Sequence, residues 1–203
     1  MTKWRSWAVA ALIMSACLLV SCASTPTTRT TVMGSWKADN YNKKLANFLV
    51  ISLADEPGIR SKVEFTLANR LEKEGLRAMA SSDIMPADEE INRQTVKAAM
   101  AGKRFDGVLV SRLLGVERGA VYVAPSPDTT FDSSFYRSAP IVTSPGHVEH
   151  LSVITLQVDL YDSASEHLVW SLKSQSVNPD SVTEVVNNLT ESVVKDLQIK
   201  GLI

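Results

Sequence analysis

The densest group of chemically capable side chains in this sequence is His147-Val148-Glu149-His150, with His167 as the only other histidine. Two histidines three apart, with a third brought close by folding, fit a divalent metal and hence metal-dependent hydrolysis by His147, His150 and His167. Here, however, the pair falls where a loop passes into a strand. Alternation then sends positions 147 and 150 to opposite faces. His150 and His167 remain expected cross-strand neighbours, and solvated or capping histidines are the plainer reading. Asp159 and Asp162 form the second group, spaced as paired carboxylates for acid–base work. Asp162 opens the turn-forming run Asp162-Ser163-Ala164-Ser165, where a carboxylate bonds its own backbone. Asp159 falls on the polar side of a strand. No Gly-x-Ser-x-Gly elbow and no phosphate loop occurs; Gly115-Val116-Glu117-Arg118-Gly119 lacks the spacing. The residues predict a chain that is not an enzyme, without metal or cofactor, and the metal-dependent hydrolase is the alternative.

The elements that must position these groups alternate. Phe48–Leu53 is short, apolar and rich in β-branched residues, as in a strand covered on both faces. Asp55-Glu56-Pro57 opens a helix, with acids at the positive end of its dipole and proline in its first turn. Ile59, Val63, Leu67 and Leu71 give that helix one buried stripe, and Gly75 stops it. A weaker strand follows over Leu76–Ile84. Pro86 and Asp88 start a second helix that turns Ile91, Thr95, Ala98 and Ala99 inward. Phe105–Leu114 is the next strand, continued or answered by Val116–Val123. The insert Ala124–Gly146 has four prolines, many Ser and Thr, and no periodicity. Loops of that length within a domain are often functional or disordered. In His150–Tyr161 the residues Ile154, Leu156, Val158 and Leu160 alternate with polar ones. Leu168, Trp170 and Leu172 do the same in a returning strand, which makes a hairpin. Pro179-Asp180 caps a last helix with Val182, Val185, Val186, Leu189, Val193 and Leu197 on one face. The expected class is α/β: a βαβαβ unit with parallel strands and right-handed crossovers, then an antiparallel hairpin and a helix, in a mixed sheet sandwich.

Charge excludes some partners. The chain has 21 Lys+Arg against 22 Asp+Glu, and no stretch concentrates the cations. The footprint of a nucleic-acid binder is absent, as is a polybasic membrane patch. The N-terminus is more informative. Lys3 and Arg5 precede an apolar run, Trp7–Val20, that falls short of the about 20 residues of a membrane span and ends on small residues, the pattern of a secretory leader. Leu19-Val20-Ser21-Cys22 looks like the lipobox of bacterial lipoproteins. The resemblance implies cleavage after residue 21, acylation of the Cys22 sulfur and a domain tethered to a membrane. Met14-Ser15-Ala16-Cys17 offers a second exit, but it would leave Leu18-Leu19-Val20 exposed on the mature chain. With Cys17 removed and Cys22 acylated, neither an internal disulfide nor a cysteine metal site is open to the mature chain. Ala23 rather than Asp after the cysteine favours the outer membrane within the same resemblance. Residues 22–34 are small and Thr-rich, and are expected to be a flexible tether. One domain is expected over 35–203.

Further residues carry a broader resemblance: Ser35-Trp36 and Tyr41 before the first strand, Phe105-Asp106-Gly107-Val108-Leu109-Val110, Asp159-Leu160-Tyr161-Asp162, and Leu168-Val169-Trp170-Ser171. Together with the lipobox they resemble a widespread set of bacterial outer-membrane lipoproteins. The layout is similar to the N-terminal domain of the Tol-Pal propeller protein, the curli secretion lipoprotein and the lipoprotein activators of penicillin-binding proteins. That resemblance implies a non-catalytic periplasmic module that binds or assembles an envelope protein, or a structural subunit of an envelope oligomer. Rigid aromatics in exposed positions are the expected contacts. They are Phe131, Phe135 and Tyr136 in the 124–146 loop, and Trp36 and Tyr41 beside the sheet. The plainer role of Trp36 and Tyr41 is to pin the chain where it joins the sheet.

Overall fold

A computed structural model describes residues 29–86, 89–124, 126–127, 142–144 and 146–203. A six-stranded mixed sheet organises them, built from β1 (Arg29–Lys37), β2 (Asn47–Ser52), β3 (Arg77–Ala80), β4 (Gly107–Val123), β7 (His147–Asp162) and β8 (Leu168–Val177). Its order is β1-β8-β7-β4-β2-β3, and it does not close into a barrel. The pairs β2·β3 and β2·β4 are parallel, and the remaining pairs are antiparallel. Two short strands, β5 (Ser126–Pro127) and β6 (Val142–Ser144), pair separately. The expected α/β class is therefore what the chain adopts.

Helix α1 (Pro57–Lys73) begins on proline and ends before Gly75, whose φ of +82° only glycine adopts without strain. Its stripe of Val63, Leu67 and Leu71 packs on one face of the sheet beside helix α3 (Val182–Ile199). Between them and the sheet lie Phe48, Val50, Leu109, Val158, Leu160, Trp170 and Leu172, all buried. Gly107 sits where β4 passes under this core. A Cβ there would stand 2.9 Å from Leu160 Cδ1 and 3.0 Å from Leu45 Cδ1. Asp196 of α3 fastens two strands at once, accepting from Trp170 Nε1 at 2.7 Å and from Ser35 Oγ at 3.1 Å.

Three expectations are corrected. Residues 29–34, read as part of the tether, belong to β1, which pairs with β8 from Arg29↔Val177 to Lys37↔Trp170. Its threonines serve the sheet: Thr30 Oγ1 and Ser176 Oγ are 2.9 Å apart. The second helix, α2, spans Arg93–Met100, later than Pro86. Asn92 caps it by accepting from Gln94 N and Thr95 N, while Thr95 Oγ1 accepts from Asn92 N. Thr95 is thus consumed by the cap, and Ile91, Val96 and Met100 take the inward positions. The last helix is capped by Ser181, whose Oγ accepts from Glu184 N.

Sequence reasoning also missed a buried charged knot. Glu64 is fully buried, and Arg60, one turn earlier in α1, nearly so. The Glu64 carboxylate accepts from Ser52 N (2.9 Å), Ser81 Oγ (2.6 Å), Ser82 N (2.8 Å) and Arg60 Nε (3.3 Å). It ties α1 to the ends of β2 and β3. A buried ion pair of this kind is tolerated only because neighbouring donors satisfy it.

Candidate functional site

The two faces of the sheet are finished differently. Helix α2 is the only helix among the described residues on the face opposite α1 and α3, and none of its residues is fully buried. Strand registers place one row of side chains across this face: Ile51, Val110, Asp159, Ser171 and Trp36. The row passes from apolar to polar and back to an aromatic at the sheet edge.

Its apolar end is a groove of about 550 Å³ between α2 and the sheet, lined by Ile51, Val96, Met100, Val108, Val110 and Tyr161. Pockets of this size and character suit apolar side chains or small ligands. Glu166 closes one rim. It accepts from Arg93 Nη2 at 2.6 Å and pairs with Lys97 Nζ at 2.5 Å, so α2 is clamped to the β7–β8 turn. Hydrogen bonds from Lys97 and Arg93 hold the Glu166 carboxyl below the usual carboxylate range.

The polar middle centres on Asp159, which is fully buried. Its carboxylate accepts from Ser171 Oγ at 2.6 Å, from Gln157 Nε2 at 2.8 Å and from the Arg112 guanidinium. The bond to Asp159 raises the Arg112 guanidinium above its ordinary value. Arg112 Nε is buried without a protein acceptor. Asp159 thus holds Arg112 at the groove, with its oxygens taken up by three neighbouring donors. Asp162 shares none of these partners. It accepts from Tyr41 Oη at 2.7 Å, Lys43 Nζ at 3.1 Å, Ser165 N at 2.9 Å and Ala164 N at 3.0 Å. Burial alone would raise its carboxyl, but the bonds from Tyr41, Ser165 and Lys43 outweigh burial and hold it well below the carboxylate range. The same contact, with burial acting first, pushes the Tyr41 hydroxyl up. The expected pair Asp159/Asp162 is two separate structural anchors.

The histidines do not converge either. His147 and His150 point to opposite faces of β7, as alternation required, and His147 Nε2 lies 3.2 Å from Glu149 Oε1. His150 and His167 are not cross-strand neighbours. The β7·β8 register runs Val153↔Val177 to Tyr161↔Leu168, so His167 sits at the far end of β7 from His150. Eleven residue steps along the strand separate His150 from Tyr161, on the order of 35 Å. Among the described residues no three of His, Cys, Asp or Glu gather as a metal site would need.

Of the aromatics, Tyr41 packs against the main core and holds Asp162, so it pins the chain. Trp36 is 49% exposed on the edge strand β1, and Met33 of the same strand is 56% exposed. Phe131, Phe135, Tyr136 and Cys22 lie outside the described residues. The groove itself was missed from sequence. The Asn92-x-x-Thr95 capping box was the signal that would have moved the helix start and brought Val96 and Met100 onto one face.

No protein family and no curated protein sequence matches the chain. Solved structures do resemble it in fold. PelC of Paraburkholderia phytofirmans, solved as a dodecamer, is 14% identical with a TM-score of 0.48, covering 84% of this chain and 98% of that one. Lipoprotein GNA1162 of Neisseria meningitidis is 13% identical with a TM-score of 0.41, covering 75% of this chain and 98% of that one. Likenesses this distant carry no function across.

Proposed function

We propose that this chain is a lipid-anchored, non-catalytic binding module on the periplasmic face of the outer membrane, and that its partner is another envelope protein. The observation that carries the proposal is Leu19-Val20-Ser21-Cys22 at the end of a short apolar run with a charged start. It gives the chain an address, and a domain of one core follows it. The open sheet face supports a binding role. It offers an apolar groove, an arginine held by a buried carboxylate, and a half-exposed tryptophan on the nine-residue edge strand β1. An edge strand has free backbone donors and acceptors, and a partner strand adds to it with side-chain pockets alongside for specificity.

The test has two parts. The mass of the N-terminal fragment of protein from membranes reports whether Cys22 carries acyl chains, and a Cys22→Ala chain reports whether membrane retention depends on them. Acylation with loss of retention in the variant is expected. A mature protein that starts at Met1 with an unmodified thiol overturns the proposal. The metal-dependent alternative is met by metal analysis of chelator-treated and reloaded protein, where stoichiometric zinc would revive it.

A further inference from the structure

Strand β8 leaves β7 at Val153, while β4 and β7 continue to pair up to Val123↔His147. The segment from Glu117↔Val153 outward is therefore a two-stranded arm, about 20 Å long at roughly 3.4 Å per residue. One face of the arm carries the cross-strand pair Tyr122 (65% exposed) and Val148 (56%), while Val121 (52%) stands beside Glu149 on the other face, and no described element packs on them. Its described charges are Glu117, Arg118 and Glu149, which leaves no concentration of either sign to repel a lipid surface.

Where the arm stands relative to the N-terminus decides what covers it. Arg29, the first residue of β1, pairs with Val177, and Val177 pairs with Val153 at the arm's base. β1 runs in the same direction as β7, so the chain before Arg29 joins the sheet at its arm end. Only residues 23–28 separate Cys22 from Arg29. Seven residue steps span at most about 25 Å, which is close to the length of the arm. An acylated Cys22 therefore keeps the arm's base within arm's length of the bilayer.

We propose that the β4–β7 arm lays the face carrying Tyr122 and Val148 into the interfacial layer of the membrane that holds the Cys22 lipid. This rests on the anchor proposed above. Tyrosine suits that layer because its ring is apolar and its hydroxyl is hydrated. The arm is then a second point of attachment. One tether alone lets the domain tumble, whereas tether and arm together fix its tilt. A second copy of the chain is the competing cover, but it would have to lift the arm from a surface the tether holds close.

The experiment uses the full chain, processed in cells, purified, and reconstituted into phosphatidylethanolamine/phosphatidylglycerol vesicles. Cys17 leaves with the leader and the Cys22 sulfur is acylated, so an introduced cysteine is the one thiol to label. An environment-sensitive dye is placed at Tyr122→Cys in the arm or at Asn187→Cys, an exposed position of α3. Intact mass is checked for acylation in each sample. Emission from 122 shifts blue and is lost to spin-labelled lipid, while emission from 187 is unchanged. Acylated protein with no lipid quenching at 122 overturns the arm proposal and leaves the anchor standing. Equal quenching at both positions also overturns it, because the whole domain then lies on the surface. Energy transfer between copies at 122, without lipid quenching, overturns it in favour of self-association. An unacylated chain overturns anchor and arm together.

Discussion

The two faces of one sheet show the difference between what this chain needs in order to fold and what it leaves available. Under α1 and α3 the face is closed by leucines, valines, Phe48 and Trp170, with polar exceptions such as Ser174, Ser176 and Thr190 held beside α3. Under α2 the buried apolar cluster among the described residues is Leu49, Ile51 and Val108, and a groove stays open beside them. Both faces contain a buried or nearly buried carboxylate, and both carboxylates hold an arginine. Glu64 spends its acceptors on backbone and serine donors inside the fold, whereas Asp159 holds an arginine that lines the groove. Sealed packing is concentrated on one side, and unsealed apolar and charged groups on the other.

Substitutions sharpen that contrast. Trp170→Ala empties the centre of the closed face and removes the bond to Asp196, so a loss of about 3–5 kcal/mol is expected, read as an earlier midpoint in urea. Glu64→Ala leaves Arg60 buried without its partner and costs about 3 kcal/mol, although α1 keeps its apolar stripe. Asp162→Asn, at the β7–β8 turn, costs about 1–3 kcal/mol and changes the pH profile. The wild-type carboxyl titrates below its unfolded value, so its contribution is complete above about pH 4 and is lost as pH falls through the folded value. Urea midpoints measured down the acid range should fall steeply for the wild type and less steeply for the variant. Met100→Ala, beside a groove already open to solvent, leaves no sealed cavity and costs about 1 kcal/mol or less. A Met100→Ala loss as large as that of Trp170→Ala would break the distinction between the faces.

The closed face was the legible one. The Val63–Leu67–Leu71 spacing, the apolar run of β2 and the alternation through Val158, Leu160, Trp170 and Leu172 each state their burial locally. Strand β1 did not, because an edge strand half open to water reads as Thr-rich linker: Thr30, Thr31 and Ser35 find their partners only when β8 lies alongside. The arm was legible as apolar β-type sequence but not as an arm, since its protrusion depends on where β8 stops. The Asp159–Arg112 contact is likewise a matter of register, set between residues 47 positions apart. The proposed anchor, by contrast, rests on sequence alone, because Cys22 lies outside the described residues.

The central claim is that the open face of an acylated module meets an envelope protein. A photocrosslinking residue is placed at Trp36, and in a separate chain at Asn187 on the helix-covered side, and each is illuminated in intact cells. The account predicts a discrete protein adduct from position 36 that is absent from position 187 and lost in the Cys22→Ala chain. Adducts that are absent from both positions, or the same at both, would contradict it.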